Sequence, residues 1–300
     1  TNNSQINSLN LKLLVVIRGA SRFYPPMIET ERKISGNMFD SQPLKGQHAL
    51  VTGGSRGIGA AISNDLARLG ADISLLARNA GTLNTQAEYL TSEFGVNVAV
   101  ASADMAKEED VQSAFAAVTE ELGSVSILIN NAGIAPSAPF HKMDMKLWEN
   151  TIGLNLTGTF LCCKEVFGPM RDAGYGRIVN IASTVGLTSY PYIAAYTASK
   201  HGVVGLTRAL AMEGARKGIT VNAICPGYTD TDLVSGAIDN IVGKTGMDAG
   251  DVKSELASHN PMARLVTPEE VAETTAWLCL PSSASITGQS IVVAGGAVMN

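Results

Sequence analysis

From residue 47 onward, short unbroken apolar runs alternate with longer stretches in which apolar positions recur every three or four residues. A strand buried on both faces reads as a continuous run of four to eight apolar residues, whereas a helix buries one stripe. This pattern predicts strands over 48–51, 73–77, 96–102, 126–130, 177–182, 220–225 and 289–294. It predicts helices over 58–69, 82–94, 109–122, 147–171, 194–217 and 268–280, several of them closed by glycine, as at Gly70, Gly174 and Gly218. Strands alternating with helices in this way imply an α/β fold: a seven-stranded, parallel, doubly wound sheet with helices on both faces. Such sheets bind ligands beyond the carboxyl ends of their strands, where the strand order reverses. The residues that follow each strand therefore carry the functional signal. One long interruption, 228–267, is polar with scattered Gly and Asp and is predicted to be a mobile lid over the site. Its apolar positions include Leu233, Val234, Ile238, Ile241 and Val242.

Composition narrows the function classes. Three hundred residues at 45% hydrophobic support one large core. A net charge of −5 suggests neither a nucleic-acid partner nor a membrane surface. Cys162, Cys163, Cys225 and Cys279 show no metal or redox spacing and read as buried thiols in a reducing, cytoplasmic compartment. His48, His141, His201 and His259 are scattered, so no metal site is expected. No apolar run is long enough to span a bilayer. Residues 1–37 differ from the rest: an apolar stretch from Leu11 to Ile17 is flanked by Lys12, Arg18 and Arg22, with no acid before Glu29. They read as a disordered leader, with an organelle-targeting segment as the alternative, ahead of a single catalytic domain over 38–300 that begins at Met38.

The first strand runs into Thr52-Gly53-Gly54-Ser55-Arg56-Gly57-Ile58-Gly59. Glycines between a strand and a helix permit a tight turn and close backbone approach to a pyrophosphate, which sits on the helix N-terminus. Tyr196 and Lys200 lie four residues apart and share a helix face. A nearby ammonium favours the phenolate, so the spacing predicts a lowered Tyr196 pKa and a phenol able to exchange a proton with an alcohol. Ser183 follows the fifth strand, where its hydroxyl can bond a substrate oxygen that develops charge.

The spacing Gly53, Gly57, Gly59 resembles that of the short-chain dehydrogenase/reductase family, and further landmarks follow in the family's order. These are Asn130-Asn131-Ala132-Gly133, Asn155, Ser183, Tyr196-x-x-x-Lys200 and Pro226-Gly227, and the resemblance covers about residues 45–298. It implies a Rossmann-like dinucleotide fold and an oxidoreductase acting on a carbonyl/alcohol pair. By resemblance Tyr196 is the proton donor or acceptor, Lys200 holds the nicotinamide ribose, Ser183 orients the substrate oxygen and Asn155 anchors a relay water. Gly53, Ser55, Arg56, Gly57, Ile58 and Gly59 would hold the pyrophosphate. Asp104 with Met105 would touch the adenine, Asn131, Ala132 and Gly133 the adenosine side, and Pro226, Gly227, Thr229 and Thr231 the nicotinamide end.

Cofactor choice is read at the end of the second strand, Leu75-Leu76-Ala77-Arg78. The carboxylate that would hold an NAD ribose is absent there, and Arg78 with Arg56 suits a 2′-phosphate, which favours NADP(H) over NAD(H). The overall pattern resembles 3-oxoacyl-thioester reductases and 3-hydroxyacyl or 3-hydroxybutyrate dehydrogenases. The expected partner is thus a small carbonyl or alcohol, first a β-keto compound, with an NAD-dependent dehydrogenase as the alternative. Tyr190, Pro191 and Tyr192 should border the pocket. A dinucleotide-binding sensor without turnover is a further reading, opposed by the intact Ser183/Tyr196/Lys200 set. Resemblance also implies a homotetramer or homodimer built through the helices over 147–171 and 194–217.

Overall fold

A computed structural model describes residues 42–299; the leader expected over 1–37 lies outside them. Seven parallel strands form one sheet in the order β3-β2-β1-β4-β5-β6-β7. They are β1 (His48–Thr52), β2 (Asp72–Ala77), β3 (Val98–Ser102), β4 (Ile127–Asn130), β5 (Gly176–Ile181), β6 (Ile219–Pro226) and β7 (Ser290–Val293). The order reverses between β1 and β4, which pair through Ala49, Leu50 and Val51 against Ile127, Leu128 and Ile129. That switch point opens the ligand crevice.

Alternate residues of each strand feed opposite faces. Ala49 and Val51 of β1, with Ile73 and Leu75 of β2, pack against α1 (Gly57–Arg68), α2 (Ala80–Phe94) and α9 (Pro268–Cys279). Leu50, Leu76 and Leu128 face the other layer, built from α3 (Glu108–Leu122), α5 (Gly158–Ala173) and α6 (Ala194–Gly214). The core is apolar on both sides, which explains why the strands read as unbroken runs.

Two expectations are corrected. The helix expected over 147–171 is two helices, α4 (Met145–Ile152) and α5, joined by a π-helical turn at Gly153–Thr157. Periodicity cannot register one extra residue in a turn. The segment 228–267 is not a polar loop, because it contains α7 (Asp232–Thr245) and α8 (Ala249–Ser258). Val234, Ile238 and Val252 pack with Leu265 into their own apolar cluster. Gly236 and Gly243 inside α7 obscured the helix, since glycine disfavours helical backbone by about 1 kcal/mol.

Candidate active site

The site forms at the strand exits on both sides of the switch point. Gly53 leaves β1 with φ +64°, a left-handed conformation that glycine adopts without a steric penalty. At Gly59 a Cβ would lie 2.1 Å from Gly53 O, so only glycine lets α1 start this close to the strand. Asn131, just past β4, locks the turn: its Nδ2 donates to Thr52 O at 3.0 Å and Gly53 O at 3.1 Å. The Asn131 and Ala132 amides donate to Thr52 Oγ1. No side chain caps α1 and its first turn holds no acid. Its first backbone amides therefore suit an anionic group such as a dinucleotide pyrophosphate. The close-packed glycine turn and uncapped helix fit that cofactor.

Ser183, Tyr196 and Lys200 come together where β5 and β6 end. Ser183 is buried and opens a short helical turn, its Oγ accepting from Val185 N at 3.2 Å. The Tyr196 phenol lies near enough to the Ser183 side chain for the hydroxyl to draw its pKa down. Lys200 is only 5% exposed, and its Nζ donates to Ile181 O at 2.7 Å. The same Nζ stands 5.8 Å from the centre of the Tyr196 ring. Asn155, in the π turn, is 1% exposed. Its Oδ1 accepts from Ile134 N at 2.9 Å, and its Nδ2 donates to Ile134 O at 2.9 Å and to Ser199 Oγ at 3.0 Å.

The electrostatics correct the expected lowering of Tyr196. Burial pushes its phenol above the ordinary value, and the nearby Ser183 hydroxyl pulls back against it. Lys200 is itself pushed down to about 8 by burial, opposed by Cys225. Desolvation penalises charge on both groups and is the largest cause of each shift. Tyr196 is therefore a neutral acid at neutral pH, while Lys200 keeps most of its charge there.

The remaining expected residues lie at or just past the carboxyl ends of β1, β2, β3, β4 and β6. Thr231 packs on Gly57, and Thr229 Oγ1 donates to Gly227 O at 3.0 Å, so the chain after Pro226 folds back onto the glycine turn. Ser55 Oγ accepts from Thr82 Oγ1 at 3.2 Å, and partly buried Ile58 packs on the core beneath. Asp104 Oδ1 accepts from Ala106 N, while the Met105 side chain is buried against Cys162, leaving Met105 only backbone to offer a ligand. Gly133 lies beside Asn155 Oδ1 and Lys200 Nζ. Arg56 and Arg78 are exposed, and Arg56 Nη1 pairs with Asp232 Oδ2 at 3.3 Å.

Two features escaped the sequence reading. Tyr190, Tyr228 and His259 form an aromatic cluster with ring centres 5.8–6.2 Å apart, beside a small cavity that Thr184 and Gly227 also line. His259 follows the last residue of α8 as its C-cap, and no spacing rule links it to Tyr190. Ser199 was missed although it is three residues after Tyr196, the spacing of neighbours on a helix face. Among the described residues no cluster of His, Cys, Asp and Glu could hold a metal ion, and no helix is long and apolar enough to cross a membrane.

Residues 47–241 match the short chain dehydrogenase family. An acetoacetyl-CoA reductase of Rhizobium meliloti is 42% identical over 248 residues, 83% of this chain and 97% of that protein. A 3-oxoacyl-(acyl-carrier-protein) reductase of Aquifex aeolicus is 34% identical over 253 residues, 84% of this chain and 98% of that one. A solved structure of a variant actinorhodin polyketide ketoreductase with NADPH superposes with a TM-score of 0.81 at 37% identity. It covers 86% of this chain and 98% of its own.

Proposed function

The chain belongs to the short-chain dehydrogenase family, an NAD(P)-dependent oxidoreductase acting on carbonyls and alcohols, and we propose that it reduces 3-oxoacyl compounds with NADPH. One observation carries the reading: buried Ser183, Tyr196 and the buried Lys200 ammonium, 5.8 Å from the Tyr196 ring, stand together beyond the sheet with the phenol in its neutral form. A neutral phenol is the form that gives a proton to a carbonyl oxygen. The substrate class is supported by the acetoacetyl-CoA and 3-oxoacyl reductases among the relatives. The phosphorylated cofactor is supported by Arg56 and Arg78, by the lack of a carboxylate at Ala77, and by the NADPH in the ketoreductase structure.

In this reading Gly53, Ser55, Arg56, Gly57, Ile58 and Gly59 hold the pyrophosphate, and Arg78 with Arg56 holds the 2′-phosphate. Asp104 and the Met105 backbone meet the adenine, and Asn131, Ala132 and Gly133 the adenosine side. Pro226, Gly227, Thr229 and Thr231 meet the nicotinamide end, and α7 and α8 form the substrate lid. When bound, the reduced cofactor supplies a hydride to the carbonyl carbon. Ser183 Oγ hydrogen-bonds the carbonyl oxygen as it gains charge. Tyr196 gives its phenolic proton to that oxygen. The Lys200 ammonium stabilises the phenolate left behind, which must regain a proton before the next turnover.

Loss of NADPH absorbance on adding acetoacetyl-CoA or ethyl acetoacetate tests the reading, with NADH in parallel. Turnover with NADH alone, or of simple ketones but no β-keto compound, would overturn it. Oxidation of 3-hydroxybutyrate with NAD, faster than any reduction, would favour the dehydrogenase alternative. We also propose a homotetramer or homodimer in a reducing, cytoplasmic setting. Exposed Met145, Phe160 and Met212 on α4, α5 and α6 and four free buried cysteines support this.

A further inference from the structure

Every hydrogen-bonding capacity of the Asn155 amide except one oxygen lone pair is spent on two neighbours, Ile134 and Ser199. Ser199 is fully buried, and its own proton goes to Tyr196 O at 2.7 Å. A continuous chain thus runs from the loop after β4 to the backbone of the proton donor: Ile134, the Asn155 side chain, Ser199 Oγ, Tyr196 O. Its first residue follows Gly133, which lies beside Lys200 Nζ. Lys200 in turn is fixed to Ile181 O, two residues before Ser183. Serine is an unusual choice for the interior of a helix packed at its catalytic end, because its hydroxyl must be satisfied there. Here it is satisfied on both sides by groups from different elements.

We propose that Ser199 is a positioning residue: it ties the Asn155 side chain to the Tyr196 backbone and so holds the phenol in register with Ser183 and Lys200. It touches neither substrate nor cofactor in this scheme and acts through Tyr196. Cutting the tie leaves α6 helical, since the Tyr196 carbonyl keeps its place in the helix, but lets the phenol drift from Ser183. Turnover should then fall while binding persists.

The test is Ser199→Ala in the full chain. With NADPH and ethyl acetoacetate, kcat should fall about tenfold, the scale of one net hydrogen bond lost from the transition state. KM for both reactants should stay within about twofold. In an Asn155→Ala background the same substitution should have almost no effect, because the tie is already cut. A second readout needs no substrate. Phenolate absorbance near 295 nm, taken as the difference from Tyr196→Phe, follows Tyr196 alone. Proximity to Ser183 draws the Tyr196 phenol down, so letting it drift in Ser199→Ala should move its titration up. Thr275→Val removes an equally buried hydroxyl, bonded to Val271 O at 2.8 Å in α9, and should lower Tm without changing kcat or the titration. The proposal fails if Ser199→Ala keeps more than half of kcat, if it costs the same factor in the Asn155→Ala background, or if the Tyr196 titration does not move. A wild type inactive on β-keto compounds would overturn the substrate reading instead, and the titration would still decide this one.

Discussion

The two sets of charged and polar groups around the crevice are built in opposite ways. Asn155, Ser183, Ser199 and Lys200 are buried; Asn155, Ser199 and Lys200 are hydrogen-bonded to neighbouring elements, and Ser183 to Val185 in the turn it opens. Arg56 and Arg78 stand in solvent, and the Arg56–Asp232 pair leaves the two side chains 75% and 74% exposed. Proton transfer needs a fixed donor, and burial tunes the acidity of both Tyr196 and Lys200. Recognition of a mobile phosphate needs long cations that can close on it from water. Exposed ion pairs are worth little, so Arg56 can leave Asp232 at small cost.

The largest expected effect attacks the buried set. Tyr196→Phe keeps the ring and removes the acidic hydroxyl. It should lower kcat by about a hundred- to ten-thousand-fold, with cofactor binding, followed by fluorescence titration, unchanged. Retention of a tenth of the activity would remove Tyr196 from its assigned role.

Arg78→Ala attacks the exposed set. The loss of a charge-assisted bond to a 2′-phosphate should raise KM for NADPH about ten- to a hundred-fold and leave NADH nearly unchanged. Equal losses with both cofactors would mean that Arg78 supports the fold of the strand end rather than reading the phosphate.

A pH profile sharpens the contrast, because burial shifts both Lys200 and Tyr196. Lys200 titrates at about 8 instead of 10.5, burial being the cause. It is mostly ammonium at pH 7 and mostly amine at pH 9, so reduction should fall about tenfold between them, with a midpoint near 8. The raised Tyr196 acts in the opposite sense on the reverse reaction: alcohol oxidation needs the phenolate and should rise with pH. A profile flat from pH 7 to 9 in both directions would show that neither group limits turnover.

The smallest effect concerns the pair that links the glycine turn to α7. Asp232→Asn frees Arg56 and should tighten NADPH by no more than about two- or threefold, with Tm almost unchanged, as expected for an exposed pair. A loss of NADPH affinity would mean that Asp232 holds Arg56 in place for the phosphate.

What the sequence determined by itself was whatever local chemistry encodes. Strand runs and glycine turns gave the doubly wound sheet, and the i, i+4 spacing put Tyr196 and Lys200 on one helix face, because backbone geometry and helix periodicity follow from neighbouring residues. The missed α7 shows the limit of that logic: Val234, Ile238 and Ile241 carry helical spacing, but the interior glycines masked it. Tertiary structure alone decided the rest. It placed an extra residue in the π turn and sent the Asn155 amide to Ile134 and Ser199. It brought His259 to Tyr190 across almost 70 residues of chain. It also reversed the expected shift of Tyr196, since desolvation depends on everything packed around a group and a nearby lysine in the sequence says nothing about that enclosure.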